Sequence, residues 1–123
     1  MVKLVFCLRR RAELSRAEFQ RYWRETHSPL VRRHGEVLRI RRYVQVHTLD
    51  DPINDALRAG RTSAEPFDGV AELWWDSVAD LTAATASEEG RAASLLLFED
   101  ERRFIDHARS SLFVAEEHPV IGS

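Results

Sequence analysis

The sequence predicts an α+β fold with the element order β-α-β-β-α-β, and three observations lead to it. The chain has 123 residues, of which 44% are hydrophobic, and this suits one domain spanning 1–123 with its own core. Two segments combine a capping residue with apolar residues at helical spacing. Four segments are rich in aliphatic, β-branched and aromatic residues, as strands are: 2–8, 40–48, 69–75 and 111–118.

This element order has a consequence for assembly. With right-handed crossovers it gives a four-stranded antiparallel sheet that carries both helices on one face. The other face has no helix to cover it, and an apolar sheet face in water acts as an interface or an aggregation site. We therefore expect a homodimer that forms through the uncovered sheet face.

The first helix follows the apolar strand at 2–8 and has a marked start. Ser15 and Glu18 have the spacing of a capping box, in which each side chain accepts a hydrogen bond from the other residue's backbone N–H. Leu14 before the cap and Phe19 after it have the spacing of a hydrophobic staple. These pairs predict a helix from about residue 16 to residue 26.

The end of this helix carries a histidine beside a proline. Pro29 lacks a backbone donor and disfavours helical geometry at Ser28, so we expect a break or kink there and a short continuation to Gly35. A titratable His27 at such a break can reach past the packed face into a cavity. The alternative is that His27 only interacts electrostatically with the end of the helix.

The centre of the chain alternates strands with a long connection. Residues 40–48 predict strand two, and 49–66 collect Asp, Pro, Asn, Gly, Thr and Ser, which is typical of a loop with room for one helical turn at 56–59. Strand three covers 69–75, and Gly69 is expected to provide backbone freedom in the turn before it.

The last part of the chain predicts helix two and strand four. Ser77 opens the helix as an N-cap, and Ser87 caps a restart that runs toward Phe104. Strand four is predicted at 111–118. In the restarted helix we expect the acidic residues to face solvent and four apolar residues to face the core. These four are Ala92, Leu95, Leu96 and Phe98.

Alternation along the strands places a polar and aromatic set on one face of each strand. On strand two, Tyr43, Gln45 and His47 share a face, and on strand three Glu72 and Trp74 do so. Such residues are unfavourable in a dry core because buried polar groups need partners. They suit the lining of a cavity, where water or a ligand can satisfy them.

Several segments also carry a family resemblance: LSRAEFQRYWRETHSPLVRRH, RRYVQVH, FDGVAELWWDS and FIDHARSSLFVAEEH. In this order they resemble the EthD family of the dimeric α+β barrel superfamily, whose fold is ferredoxin-like. The resemblance implies a dimer and an active site between the helices and the sheet of each subunit. His27 would face that space.

These considerations define a candidate site. Two imidazoles can divide the base and acid roles near neutral pH, and a tyrosine hydroxyl can stabilise an oxygen anion. The candidate catalytic residues are His27, His47, Tyr43 and Glu72. The candidate substrate-binding residues are Trp23, Trp74, Gln45 and Phe104. Alternatives stay open: Tyr43 and Trp74 can be core residues, and Glu72 can pair with Arg41 or Arg42 across the sheet.

Composition excludes several classes of function. The formal charge of −2 argues against a nucleic-acid partner, and no apolar run is long enough for a membrane span. One cysteine, Cys7 in an apolar run, suits a buried role in a reducing compartment, so we expect a cytoplasmic protein. Neither a metal-ligand spacing nor a glycine-rich phosphate loop nor a serine-nucleophile elbow occurs, and we expect no metal and no cofactor.

The residues and the resemblance together favour proton-transfer chemistry. We expect a cofactor-independent enzyme that acts on a small hydrophobic, cyclic or aromatic metabolite by dehydration, isomerisation or cyclisation. Two alternatives come from the same resemblance: a non-catalytic accessory or ligand-binding protein of a degradation pathway, and a cofactorless oxygenase. A haem-associated protein of related fold would need an axial histidine in apolar surroundings.

Overall fold

A computed structural model describes residues 1–122 of the chain. Its sheet contains four strands in the order β2-β3-β1-β4, and each neighbouring pair is antiparallel. The strands are β1 (Val2–Leu8), β2 (Arg42–His47), β3 (Gly69–Trp75) and β4 (Ser111–Ala115). The predicted α+β fold with a four-stranded antiparallel sheet is therefore confirmed. Strand β4 ends three residues earlier than the sequence predicts.

Five α-helices accompany the sheet in the described part of the chain, together with one π-helical segment (Trp23–His27) and a 3-10 turn (His107–Arg109). The helices are α1 (Arg16–Tyr22), α2 (Ser28–His34), α3 (Pro52–Arg61), α4 (Val78–Ala86) and α5 (Glu88–Glu101). No helix within residues 1–122 is both long enough and apolar enough to cross a membrane.

The first helical region begins as predicted and continues through the proline. The capping box between Ser15 and Glu18 is present, and Phe19 is fully buried. The predicted break at Pro29 does not occur: Ser28 donates its backbone N–H to the Trp23 carbonyl, five residues back, and Pro29 then lies in the first turn of α2. A π-helical turn changes the hydrogen-bond register, and the first turn of the new helix does not need the donor that proline lacks.

The connection between β2 and β3 is more ordered than predicted. Asp51 accepts a hydrogen bond from the Ile53 N–H, Pro52 occupies the first turn, and the ten-residue helix α3 follows. None of its residues is buried. The cap and the proline are ordinary helix-start signals. The Asp, Asn and Gly content of this segment is typical of a loop, so the sequence predicted no more than one turn, at 56–59, of a helix that spans Pro52–Arg61.

Helices α4 and α5 meet at a close turn that needs a glycine. A Cβ on Gly90 would lie 1.6 Å from the Ala84 carbonyl oxygen, so the first turn of α5 packs directly against the end of α4. The apolar stripe predicted for α5 is wrong, because Leu95, Leu96 and Phe98 are 42–58% exposed. The residues that α5 buries are Gly90, Ala93, Leu97 and Asp100.

The register of the sheet decides which residues face the helices. Tyr43 lies opposite Leu73 and Gln45 opposite Ala71, so these residues share the helix-facing side. Glu72 and Trp74 alternate with Leu73 and therefore belong to the other side, which we call the outer face.

Two clusters of buried side chains form the core between the sheet and the helices. The first contains Phe6, Leu8, Phe19, Trp23, Ala71, Phe104 and Ile105. The second contains Val31, Leu38, Ala93 and Leu97. Tyr43 and Leu73 are partly buried and pack against both clusters. Gly69 has a packing role rather than the predicted turn role, because a Cβ there would lie 2.5 Å from the Trp23 ring.

Candidate active site

An apolar cavity of about 200 Å³ lies between the helix-facing side of the sheet and the helices. Side chains of both core clusters line it, among them Phe6, Leu8, Val31 and Leu97. Polar side chains also reach the lining: His27, Tyr43, Thr85, Ser94 and Glu101. A dry cavity of about 150 Å³ holds a benzene molecule, so this volume suits a small ring compound.

His27 closes the π-helical segment and is 5% exposed. Its Nδ1 lies 2.7 Å from Oδ2 of Asp100, which α5 supplies from its buried side. The other carboxylate oxygen, Oδ1, accepts a hydrogen bond of 2.6 Å from the Tyr22 hydroxyl. Both oxygens of the buried Asp100 therefore have donors, as a buried carboxylate requires.

This pairing fixes the chemistry of the imidazole. A carboxylate accepts hydrogen bonds only, so Nδ1 is the donor in this pair, and Nε2 has a lone pair whenever the ring carries a single proton. Within residues 1–122, Nε2 has no hydrogen-bond partner, and His27 lines the cavity. A histidine held by a carboxylate in one tautomer, with its second nitrogen free, has the arrangement of a general base.

A chain of hydrogen bonds runs along β2 to the same cavity. His47 Nε2 donates to Gln45 Oε1 at 2.8 Å, and Gln45 Nε2 donates to the Tyr43 hydroxyl oxygen at 2.8 Å. Gln45 Nε2 also donates to the Trp23 carbonyl at 3.1 Å. Because the Tyr43 oxygen accepts from Gln45, its proton is free to point toward a ligand.

Burial sets the protonation of both ends of this chain. It raises the pKa of Tyr43, so the hydroxyl stays protonated and can donate at neutral pH. It lowers the pKa of His47, and the charge of Arg24 lowers that pKa further. His47 also stacks on the Trp23 ring with 4.5 Å between ring centroids. His47 is therefore held as a neutral donor behind Tyr43.

The structure brings together one part of the predicted site and separates the rest. His27, Tyr43 and Trp23 line the cavity, and Gln45 and His47 support Tyr43 from behind. Phe104 does not line it: the side chain is fully buried in the first core cluster, with its centroid 5.0 Å from the His27 ring.

Glu72 and Trp74 are corrections to the predicted site, because they lie on the outer face of the sheet. Glu72 pairs with Lys3 rather than with an arginine of β2. Trp74 lies beneath the Lys3 ammonium and the Arg42 guanidinium and donates to Glu117. The prediction matched the polar faces of two strands by composition, whereas the pairing register puts those faces on opposite sides of the sheet.

Sequence reasoning missed two acids of α5 that belong to the site. Asp100 holds His27, and Glu101 lines the cavity while it accepts a hydrogen bond from His107. A sequence signal existed for Asp100. It continues the helical spacing of Ala93 and Leu97 toward Phe104, and an acid on an apolar stripe needs a buried partner.

The same part of the chain offers no metal site of its own. Across residues 1–122, no group of three or more His, Cys, Asp and Glu side chains stands close enough to hold a metal ion. In the described residues the polar part of the candidate site is the His27–Asp100 pair with Tyr43 and Glu101, set in apolar surroundings.

Comparison with known proteins agrees with this architecture. The EthD domain model matches residues 11–108, and the chain belongs to the EthD family. An EthD-family protein from Bacillus halodurans has 23% identity and a TM-score of 0.63, with 96% of this chain and 99% of that chain covered. No curated protein matches the sequence.

More distant structures share the fold alone. A dimeric ferredoxin-like protein of unknown function from Bacteroides fragilis has 11% identity and a TM-score of 0.59, with 94% of this chain and 95% of that chain covered. SnoaB, a cofactor-independent oxygenase from Streptomyces nogalater, has 15% identity and a TM-score of 0.52, with 99% of this chain and 97% of that chain covered.

Proposed function

We propose that this protein is a cofactor-independent enzyme that transfers a proton on a small hydrophobic, cyclic or aromatic metabolite, in a dehydration, isomerisation or cyclisation. One observation carries the proposal: the buried His27–Asp100 pair at the wall of an apolar cavity, with Nε2 of His27 unpartnered within residues 1–122. Pairing with Asp100 accounts for Nδ1 only, whereas Nε2 is left available for a proton from a ligand.

The proposed reaction begins at a carbon beside a carbonyl group. His27 Nε2 takes the proton, the electron pair of the C–H bond moves into the enolate, and Asp100 stabilises the imidazolium that forms. The Tyr43 hydroxyl donates to the enolate oxygen. The apolar lining strengthens both interactions because it excludes water. Return of the proton to a second position of the enolate completes an isomerisation. In a β-hydroxy substrate the enolate electrons instead form a C=C bond, the C–O bond breaks, and the His27 imidazolium gives its proton to the leaving hydroxide, which departs as water.

Hydrogen–deuterium exchange tests this step without knowledge of the natural substrate. A panel of small cyclic ketones, 1-indanone and 2-tetralone among them, is incubated with the protein in D₂O, and deuterium beside the carbonyl is measured by NMR. We expect exchange above the buffer rate with the wild type, loss of it with His27→Ala, and full retention with His118→Ala. His118 is a matched control because its side chain is exposed and lies outside the cavity.

Two outcomes would change the proposal. Equal exchange by the wild type and a folded His27→Ala variant would contradict a role for His27 as base. Ketones that raise the melting temperature of the wild type but undergo no exchange would favour the accessory, ligand-binding alternative.

A cofactorless oxygenase is the second candidate function, because the same base serves it. Deprotonation of an electron-rich aromatic substrate gives a carbanion that can react with O₂, and SnoaB, a protein of similar fold, is a cofactor-independent oxygenase. Oxygen consumption with hydroxylated aromatic substrates, measured with an oxygen electrode, distinguishes an oxygenase from an enzyme that only transfers a proton. Consumption that depends on His27 would favour the oxygenase.

We also propose that the protein is a homodimer through the outer face of the sheet. Val46 on one edge strand and Phe113 on the other lie on this face and are 44% and 49% exposed, so the face offers apolar side chains that a second copy can cover. The similar protein from Bacteroides fragilis is described as dimeric. Phe113→Asp should give a monomer in sedimentation analysis, whereas Leu57→Asp on the exposed helix α3 should not.

A further inference from the structure

We propose that the substrate carries a carboxylate, which Arg24 and Arg32 bind in a groove beside the cavity. The inference rests on the proposed function, because the molecule whose carboxylate lies in the groove is the substrate whose reacting carbon lies next to His27. The groove has a volume of about 870 Å³ and five arginines in its lining: Arg24, Arg32, Arg39, Arg41 and Arg42.

The groove and the cavity are adjacent. Val31, Ile40 and Tyr43 line both of them. A ring compound in the cavity therefore has the groove as its neighbour, with the Tyr43 side chain at the boundary. The mixed character of the two spaces, apolar in the cavity and cationic in the groove, fits an amphipathic ligand.

Charge pairing within the groove leaves a positive surplus. Arg39 pairs with Asp80 at 3.1 Å, and Arg41 approaches Asp76 at 3.7 Å. Arg42 contacts the Trp74 ring instead of an acid. Within residues 1–122, Arg24 and Arg32 form no ion pair, and the one remaining acid of the lining is Glu36. The protein as a whole has a formal charge of −2, so this surplus is local.

The two unpaired arginines, Arg24 and Arg32, line the same groove. Arg24, Ser28 and Arg32 follow one another at intervals of four residues and all line the groove. A guanidinium offers a fork of donors that matches a carboxylate, and the Ser28 hydroxyl is a further donor between the two. Arg24 also lies close enough to the β2 hydrogen-bond chain to lower the pKa of His47. An anion held by Arg24 is therefore near His47, where the series of hydrogen bonds that supports Tyr43 begins.

A pair of probes isolates the charge of the ligand. 2-Naphthoate and 2-naphthamide share a ring system and differ in the anionic group, and calorimetric titration at low ionic strength measures the affinity of each. We expect the wild type to bind the acid more tightly by on the order of tenfold, as one charge-assisted interaction supplies. The Arg24→Gln/Arg32→Gln variant should bind the two probes equally.

A matched control removes the same charge from the same helical region. Arg21 and Arg33 are exposed and lie outside the groove lining, so Arg21→Gln/Arg33→Gln should keep the preference for the acid. Equal binding of both probes by the wild type, or equal loss of preference in both double variants, would overturn the inference. If 2-naphthamide still binds and ketone exchange continues, the proposed function stands although the carboxylate inference fails. If neither probe binds the wild type, the carboxylate inference is overturned, and the ketone exchange assay alone then decides whether the proposed function stands.

Discussion

Two buried aspartates hold the first helical region to the rest of this protein, and they do so with different partners. Asp68 is 3% exposed and accepts from the Arg10 backbone at 2.8 Å and from the Arg10 and Arg16 guanidinium groups at 2.6 and 3.0 Å. Asp100 is 7% exposed and accepts from Tyr22 and His27. Both carboxylates are satisfied, so burial alone does not distinguish them.

The nature of the partners separates a structural site from a reactive one. Arginine keeps its proton at every physiological pH, so the Asp68 cluster has one charge state and no free base. Histidine can exchange a proton, and the His27 beside Asp100 borders a cavity that can admit a ligand. The comparison indicates that a buried carboxylate points to chemistry when its partner can exchange a proton and lines a cavity.

The largest effect that this comparison predicts follows from Asp100→Asn. The amide can present its N–H to Nδ1 and stabilise the wrong tautomer, so Nε2 loses its lone pair. We expect the rate of ketone hydrogen–deuterium exchange to fall by on the order of 10²–10⁴-fold, the usual share of a general base. NMR in D₂O measures it, with circular dichroism to confirm folding. An unchanged rate would make the His27–Asp100 pair as structural as the Asp68 cluster.

Tyr43→Phe should give the next largest effect on the same reaction. The variant keeps the ring that packs against both core clusters and removes only the hydroxyl that we propose donates to the substrate. Loss of one donor to an oxygen anion lowers a rate by roughly 10²-fold. The melting temperature should change little by comparison. A rate equal to that of the wild type would restrict Tyr43 to its packing role.

Asp68→Asn should have the opposite profile, with a loss of stability and no loss of chemistry. It leaves two guanidinium groups without their carboxylate, and hydrogen bonds to charged groups contribute roughly 2 kcal/mol each. Because Arg10 and Arg16 are partly solvated, we expect a decrease of about 2 kcal/mol in the free energy of unfolding in urea. Exchange activity of the folded variant should remain. A rate loss like that of Asp100→Asn would remove the distinction between the two clusters.

The smallest predicted effect is a pH dependence that belongs to Asp68. Burial acts to raise the pKa of this carboxyl, but the hydrogen bonds from Arg10 and Arg16 outweigh it and hold the pKa below its usual 3.8. The contribution of Asp68 to stability is therefore complete above pH 3.8 and is lost as the pH falls through the lowered value. The difference in unfolding free energy between wild type and Asp68→Asn should narrow in that acidic range. A constant difference from neutral to acidic pH would contradict the ion pairing.

The sequence predicted the elements better than it predicted the site. Caps at Ser15, Ser77 and Ser87 mark helix starts that the structure confirms, because capping depends on neighbouring residues. The position of strand β3 is also correct. His27 was identified from its place two residues before Pro29, where a break or kink was predicted. The structure has no break there, because a π-helical segment joins α1 to α2.

The failures share a cause, which is dependence on distant residues. Asp100 lies 73 positions from His27, and no local pattern joins the two. Glu72 and Trp74 were assigned to the cavity because their residue types matched those of β2. The correct assignment needs the register in which β2 pairs with β3, because a shift of one residue would move every side chain of a strand to the other face of the sheet.

By itself, the sequence determined the starts of α1, α4 and α5 and the position of β3, because capping and alternation act over a few residues. The family followed from the resemblance of four longer segments. Only the tertiary structure decided which alternating face meets the helices, that Asp100 holds His27, and that the arginine groove adjoins the cavity. These are contacts between residues far apart in the chain, and their energies depend on packing that no local segment contains.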